Sequence, residues 1–505
     1  MTPGTLMLLV LLVPAATALL VPLFDGRPNV REATTLLGAV LLFAAVLGLL
    51  PTVLEGGTPS LPAWTVVPGL SIAFSLEPLG MLFATVASGL WIANSVYSIG
   101  YMRAEAAPRQ TMFYVCFALA IAATMGIALA GNLFTLFLFY ELLSFTTWPL
   151  VTHRATPEAR AAGRLYLMML FGASTVLFLP AIAWTGIAAG TLDFTPGGIL
   201  GGTMGAAGLG ILLALFVFGA AKAAVMPLHF WLPAAMVAPT PVSALLHAVA
   251  VVKAGVFTIL KVVVYIFGLE TLAATGAGDW LVVVAGITIV LASLIALRQD
   301  NLKRRLAYST VSQLSYVVLG AALFTPLAVL GAALHIAAHA VSKITLFFAA
   351  GSVHVGAHVE DVSRMDGLGR KMPWTMGAFS IGALSMIGMP PTAGFLGKWF
   401  ILVAAMQAGH WFAIGAIVLS TVLNAGYFLP ILYRAYARQG EEGKIDRVRE
   451  SPWPMVTALV ATAALTVLLF AWPGVPFELA GMLAGGAALE AGGAGDLVFP
   501  AEPPQ

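Results

Sequence analysis

Residues 240–268 read TPVSALLHAVAVVKAGVFTILKVVVYIFG. The run is long enough to cross a bilayer, for which about 20 apolar residues suffice. It nevertheless carries His247, Lys253 and Lys261. A charged amine at the bilayer centre costs on the order of 2.5 to 3.5 kcal/mol even on the mildest scale. Lysine escapes that cost by releasing its proton, which arginine in practice cannot do. Five of the eight lysines, Lys222, Lys253, Lys261, Lys343 and Lys398, lie inside such runs, and none of the sixteen arginines does. That asymmetry implies loading and unloading of protons within a membrane.

The composition points the same way. Of 505 residues, 60% are hydrophobic and 9% charged, and the mean hydropathy is +0.97. Soluble domains do not have that balance. The chain reads as an all-α polytopic membrane protein of roughly fourteen helices. Spans are expected at 4–24, 33–54, 76–100, 111–130, 132–152, 164–189, 207–232, 240–268, 279–297, 305–324, 327–353, 374–407, 411–437 and 453–472. Ala16, Thr17 and Ala18 resemble a signal-cleavage site, but no basic segment precedes them, so the first span is expected to be retained. The net charge of +2 argues against a nucleic-acid partner. The single cysteine, Cys116, leaves no disulfide framework and no thiolate cluster, so neither a cofactor nor a metal is expected.

Alternate loops differ in charge. Arg27, Arg103, Arg154, Arg298, Lys303, Arg305, Arg364, Arg370, Lys371, Arg434 and Lys444 all fall on one side of this arrangement. Loops 55–75, 190–206 and 269–278 and the tail 473–505 have neither lysine nor arginine, the tail carrying acids such as Glu478 and Asp496. The positive-inside rule then puts the basic loops in the cytoplasm and both termini outside, in a prokaryotic inner membrane.

Spans 7 and 12 contain breaks. Span 7 carries Lys222 and then Met226-Pro227; span 12 carries Met389-Pro390-Pro391 and then Lys398. Proline inside a membrane helix frees carbonyls, which is tolerated where they line a polar cavity. Two interrupted spans five apart, each with a lysine, suggest an inverted five-helix repeat. The chain divides on this reading into spans 1–3 (1–110), a first repeat (111–268), a second repeat (269–440) and a last span with its tail (441–505). The plainer reading is a pair of ordinary proline kinks.

The remaining polar residues cluster by span. Glu141 sits in the middle of span 5, where a nearby ammonium would keep it charged, and Lys222 is the natural partner. A static structural ion pair is the alternative. On span 8, Lys253 is central, His247 is a relay or a hydrogen-bonded structural histidine, and Lys261 is near enough to an end to snorkel. On span 11, His335, His339 and Lys343 follow at i, i+4 and i+8 on one face, each step rising roughly 6 Å. Histidine titrates near neutrality, which suits proton relay. Zinc binding is a rival, but no acidic third ligand accompanies the pair as in H-E-x-x-H. A purely structural stripe is another. Together Glu141, Lys222, Lys253, His335, His339 and Lys398 make a polar axis if spans 5, 7, 8, 11 and 12 share an interior.

These residues lie in stretches that resemble a known family. KAAVMPLHFWLPAA (222–235), APTPVSALLHA (238–248), VKAG (252–255), DNLKRRLAYSTVSQ (300–313) and LHIAAHAVSK (334–343) are similar to the antiporter-like proton-translocating subunits of respiratory complex I, membrane-bound hydrogenases and Mrp-type cation/proton antiporters. The resemblance covers spans 3 to 13. It implies fourteen helices with two inverted repeats, a Glu–Lys pair at Glu141 and Lys222, a central Lys253, relay histidines at His335 and His339, and a terminal ionisable Lys398. One complex I class carries glutamate at that last position, and another continues into a long lateral helix where only 33 residues follow Trp472 here. Length and loops most resemble the D subunit of Mrp-type antiporters. The implied function is proton translocation coupled to Na⁺ or K⁺, alongside other membrane subunits and without enzymatic chemistry of its own. The alternatives are a proton-pumping membrane subunit of a quinone oxidoreductase or hydrogenase, and a structural membrane scaffold.

Overall fold

The computed structural model describes residues 1–440 and 445–485. Lys444, Asp496 and the last part of the acidic tail lie outside them. Three long helices come first: α1 (Pro3–Leu20), α2 (Pro28–Leu54) and, after a hairpin of β1 (Ser60–Val67) and β2 (Leu70–Ser75), α3 (Pro78–Ala104). The antiparallel hairpin falls in the expected loop 55–75, where the sequence reading gives no strand. Its second strand is tied to the next turn of the chain, with Gly131 N–H donating to the Ala73 carbonyl at 2.9 Å.

Next come α4 (Gln110–Ala128), α5 (Leu133–Val151), and α6 (Pro157–Ala173), which runs through a wide turn at 174–178 into α7 (Leu179–Ala189). The helix α8 (Ala206–Gly219) then stops, and a tight turn at Ala221–Ala223 leads into loop and the short α9 (Trp231–Ala234). The 240–268 run folds as α10 (Thr240–Ala244), a wide turn at 245–249, α11 (Val251–Val262) and a second wide turn at 263–267. The second half has α12 (Leu269–Thr275), α13 (Asp279–Arg298), α14 (Leu302–Ala322), α15 (Pro326–Ala357), α16 (Leu368–Lys371), α17 (Pro373–Ile387), α18 (Gly394–Gln407), α19 (Trp411–Ala437), α20 (Trp453–Ala471) and α21 (Gly474–Leu483). The break between α17 and α18 falls on Met389-Pro390-Pro391, as expected for span 12.

Among the described residues, eleven helical stretches are long and apolar enough to cross a membrane. The expected spans 7, 10 and 12 are not among them. The breaks shorten spans 7 and 12, and Lys303, Arg304 and Arg305 make α14 too polar. Only two stretches, 240–267 and 326–357, are buried throughout their apolar windows. They carry His247, Lys253, Lys261, His335, His339 and Lys343. The outer helices α1 and α2 are 33% and 39% buried over the same measure, so apolar surface faces outward and polar residues face in.

Helix starts follow ordinary capping rules. The Asn132 side chain accepts from Thr135 N–H at 2.8 Å to begin α5, and Asn301 accepts from Arg304 N–H at 3.1 Å to begin α14. The two starts are anchored alike. Leu133 N–H donates to the Leu192 carbonyl, and Leu302 N–H donates to the Glu360 carbonyl. Each asparagine also forms an isolated bridge, Asn132 with Asp193 and Asn301 with Asp361. Next to the second anchor, outside the membrane, hydrogen bonds from Ser363 hold the Asp300 carboxyl below its ordinary range.

Close packing at glycine brings the broken segments against the buried helices. A Cβ on Gly255 would lie 2.1 Å from the Ala223 nitrogen, and one on Gly397 would lie 2.6 Å from the His335 Cβ. Small residues are the usual means by which membrane helices approach this closely. Gly255→Val is expected to cost about 1–3 kcal/mol by overpacking and to lower the melting temperature of the purified protein. An unchanged melting temperature would show that α11 and the Lys222 turn can separate freely.

Candidate functional site

Tyr140 and Ser144 are one turn apart on α5 and share a face, while Glu141 is rotated about 100° from Tyr140. Where α8 ends, the turn at 221–223 delivers Lys222 onto that face. Its Nζ donates to the Tyr140 carbonyl and to Ser144 Oγ, both at 2.8 Å, and lies 3.2 Å from the centre of the Tyr140 ring. The Lys222 backbone N–H donates to the Tyr140 hydroxyl at 3.2 Å. The expected Glu141–Lys222 ion pair therefore does not form in this structure. Both Glu141 carboxylate oxygens are buried without a hydrogen-bond partner. The physical reason is angular, since the lysine follows the face of Tyr140 and Ser144 and not the neighbouring face of Glu141.

Lys253 sits on α11 and His339 on α15, and both are fully buried. Lys253 Nζ lies 2.7 Å from His339 Nδ1. One partner must be neutral at Nδ1 or at Nζ for that bond to exist, so the two share a single proton between them. His335 is one turn away, its ring centre 6.1 Å from that of His339, and both its ring nitrogens are unpartnered. His339 Nε2 and both nitrogens of His247 are unpartnered as well. His247 lies in the wide turn 245–249, its ring 4.7 Å from Phe347. No group of three or more His, Cys, Asp and Glu comes together among the described residues, so the span-11 histidines gain no third ligand.

The second break holds Lys398. Its Nζ donates to the Met386 carbonyl at 2.5 Å and to the Ile387 carbonyl at 3.2 Å, at the end of α17 where carbonyls have no helical partner. The Tyr316 ring stands between it and His335, 4.8 Å from Lys398 Nζ and 5.6 Å from the His335 ring. Lys343 turns away from the histidines and donates to Ser309 Oγ at 2.8 Å. Ser309 Oγ is 2.9 Å from the Tyr427 hydroxyl, which is 2.6 Å from Asn424 Oδ1. Asn424 Nδ2 donates in turn to the Met386 carbonyl that receives Lys398, at 3.3 Å. Reading the sequence for charge misses Tyr140, Ser144, Ser309, Tyr316, Tyr427 and Asn424, because neutral hydroxyls and amides carry no such signal.

Lys261 corrects a further expectation. It does not snorkel: it is fully buried and forms an ion pair with Glu77 Oε1 at 2.7 Å. Glu77 caps the start of α3. A carboxylate at the edge of an expected span is ordinary, so the sequence does not single it out.

A family model described as NADH:quinone oxidoreductase/Mrp antiporter, transmembrane, matches residues 130–424. The chain belongs to this family. It is 34% identical over 387 residues to NADH-quinone oxidoreductase subunit N of Desulforudis audaxviator, a match covering 74% of each protein. It is 29% identical over 443 residues to a Na⁺/H⁺ antiporter subunit of Alkalihalophilus pseudofirmus, covering 81% of this chain and 54% of that much longer protein. A chain in the structure of the Mrp complex from Dietzia sp. superposes with a TM-score of 0.82 at 24% identity, covering 96% of this chain and 97% of the other. That likeness speaks for the fold alone. The chain is thus a mostly helical, multi-pass membrane protein of this family.

The direct Lys253–His339 contact has a measurable consequence. Lys253→Met and His339→Leu, made singly and together, are expected to shift the melting temperature non-additively, with a coupling on the order of 0.5–3 kcal/mol. Additive shifts would contradict the contact.

Proposed function

We propose that this chain is the proton-translocating subunit of a multisubunit monovalent cation/proton antiporter, built like the D subunit of Mrp-type antiporters, with other membrane subunits as its partners. The observation that carries this reading is the Lys253–His339 contact, made in the two helices that are buried throughout. A lysine and a histidine sharing one proton, away from lipid, suit a relay better than a scaffold.

The cycle runs along the membrane plane. Lys222 rests on Tyr140 and Ser144 and swings to the adjacent Glu141 when protonated. A charge change in a neighbouring subunit weakens that interaction and lowers the affinity of Lys222 for its proton. The proton moves to Lys253, with His247 alongside, then through His339 and His335 to Lys398, with Lys343 supporting the stripe. One pKa unit corresponds to about 1.4 kcal/mol, so a few kcal/mol of pair-breaking drives release. Fourteen crossings in two inverted five-helix repeats, 111–268 and 269–440, are part of this proposal. The matching anchors at Asn132 and Asn301 and the matching breaks at Lys222 and Lys398 support it. Charge asymmetry of the loops supports an arrangement with the basic loops in the cytoplasm and both termini outside. Na⁺ or K⁺ is the exchanged ion, and the fitting relative is the Na⁺/H⁺ antiporter protein of Alkalihalophilus pseudofirmus.

A second reading, a proton-pumping membrane subunit of a quinone oxidoreductase, is favoured by one observation, the 34% identity to the Desulforudis audaxviator protein. Flavin or iron–sulfur absorbance in the natively purified complex separates the two.

The complex reconstituted in vesicles should show cation-driven proton flux. Glu141→Ala and Lys222→Ala are each expected to reduce it at least tenfold (about 1.4 kcal/mol or more in barrier). Near-normal flux in both variants would contradict the proposal.

A further inference from the structure

The cycle above does not use Glu77 or Lys261, yet they form a buried ion pair beneath a large cavity. The cavity has a volume of about 840 Å³ and is lined among others by Ser75, Glu77, Ala130, Tyr265, Glu270 and Met482. These residues come from β2, the start of α3, the turn before α5, the end of the 240–268 run, α12 and α21. The cavity therefore lies on the side of loops 55–75, 190–206 and 269–278, the side without lysine or arginine. No lysine or arginine lines it, whereas two carboxylates do, those of Glu77 and Glu270.

Glu77 uses its two oxygens differently. Oε2 accepts from the Leu79 N–H at 2.8 Å, capping α3, and from the Tyr265 hydroxyl at 3.2 Å. Oε1 faces Lys261 Nζ at 2.7 Å. Behind the carboxylate, Lys261 also donates to the Ala130 carbonyl at 2.8 Å and lies 4.4 Å from the centre of the Phe194 ring. The order inward from the cavity is thus Glu77 and then Lys261. Lys253 is eight residues back on the same helix, about 12 Å along its axis. Between them the Thr258 hydroxyl is fully buried and has no hydrogen-bond partner.

We propose that the Glu77–Lys261 pair is the site where this chain exchanges protons with the aqueous phase opposite the basic loops, through this cavity. The inference rests on the proposed function and gives its central axis an outlet. The Lys261 ammonium transfers a proton to Glu77 Oε1, so that an N–H bond breaks, an O–H bond forms and both groups become neutral. The carboxylic acid then releases that proton to water in the cavity and returns to carboxylate. The neutral amine takes a new proton from the Lys253 side, by way of Thr258. Burial favours such an exchange, because desolvation of two charges offsets much of their attraction and brings the ionic and neutral pairs close in energy. Tyr265 and Glu270 are the other titratable groups at the pair and its cavity, and both belong to the 240–275 segment.

The test uses the whole complex in vesicles with Cys116→Ala as background. Ser75→Cys places a thiol in the cavity wall. A membrane-impermeant thiosulfonate is expected to modify the introduced thiol only from the face opposite the basic loops, and to reduce proton flux at least tenfold. Glu77→Gln keeps an oxygen for the helix cap but cannot exchange a proton, so it is expected to assemble and melt normally while losing flux at least tenfold. Glu77→Asp is expected to retain a substantial part of the flux. Normal flux in Glu77→Gln or in the modified Ser75→Cys protein, or a thiol unreactive from that face, overturns the inference alone. A parent complex that moves no protons overturns the proposed function and this inference with it.

Discussion

A lysine ammonium removed from water must find oxygen or a neutral nitrogen within hydrogen-bond distance, or give up its proton. The interior of this protein is arranged around that requirement. Its five membrane lysines have five different solutions. Lys222 rests on a mid-helix carbonyl, a serine and an aromatic face. Lys253 meets a histidine, Lys261 a carboxylate, Lys343 a serine, and Lys398 the carbonyl end of a broken helix. The variety matters, because each partner stabilises the ammonium by a different amount and no two sites are equivalent proton holders.

Helix ends supply much of what the lysines need. The last carbonyls of a helix are unpaired and carry the negative end of its dipole. Lys398 sits on the end of α17, and Lys261 sits on Ala130, just beyond the end of α4. The breaks on the proline-containing segments are therefore means of placing unpaired carbonyls at membrane depth. Glycines complete the design, since Gly255 and Gly397 let the broken segments approach α11 and α15 backbone to backbone. Outside this interior the chain is ordinary: capped helices, apolar outer faces and arginines at helix ends.

Periodicity and charge make the helices, the breaks and most of the ionisable site legible in the sequence, because long apolar runs tolerate few ionisable side chains and so expose them. Orientation within a helix is less legible. Lys222 and Glu141 are expected to pair because both are buried and opposite in sign, yet a rotation of one residue along α5 gives the lysine to Tyr140 and Ser144. Lys261 looks free to snorkel because its position along the run says nothing of what packs over it; the N-terminus of α3 and the hairpin do. The hairpin, α21 and the hydroxyl connectors Ser309, Tyr316 and Tyr427 escape a sequence reading, since none is charged or lies in an apolar period.

The central claim is that the buried lysines work by releasing protons and not merely by carrying charge. Lys253→Arg tests it most directly, because arginine keeps a positive charge and donors at the same place but does not deprotonate. The account predicts that cation-driven proton flux through the reconstituted complex falls at least tenfold in Lys253→Arg while assembly is retained. Flux within a factor of about two of the parent, equivalent to about 0.4 kcal/mol, would contradict it.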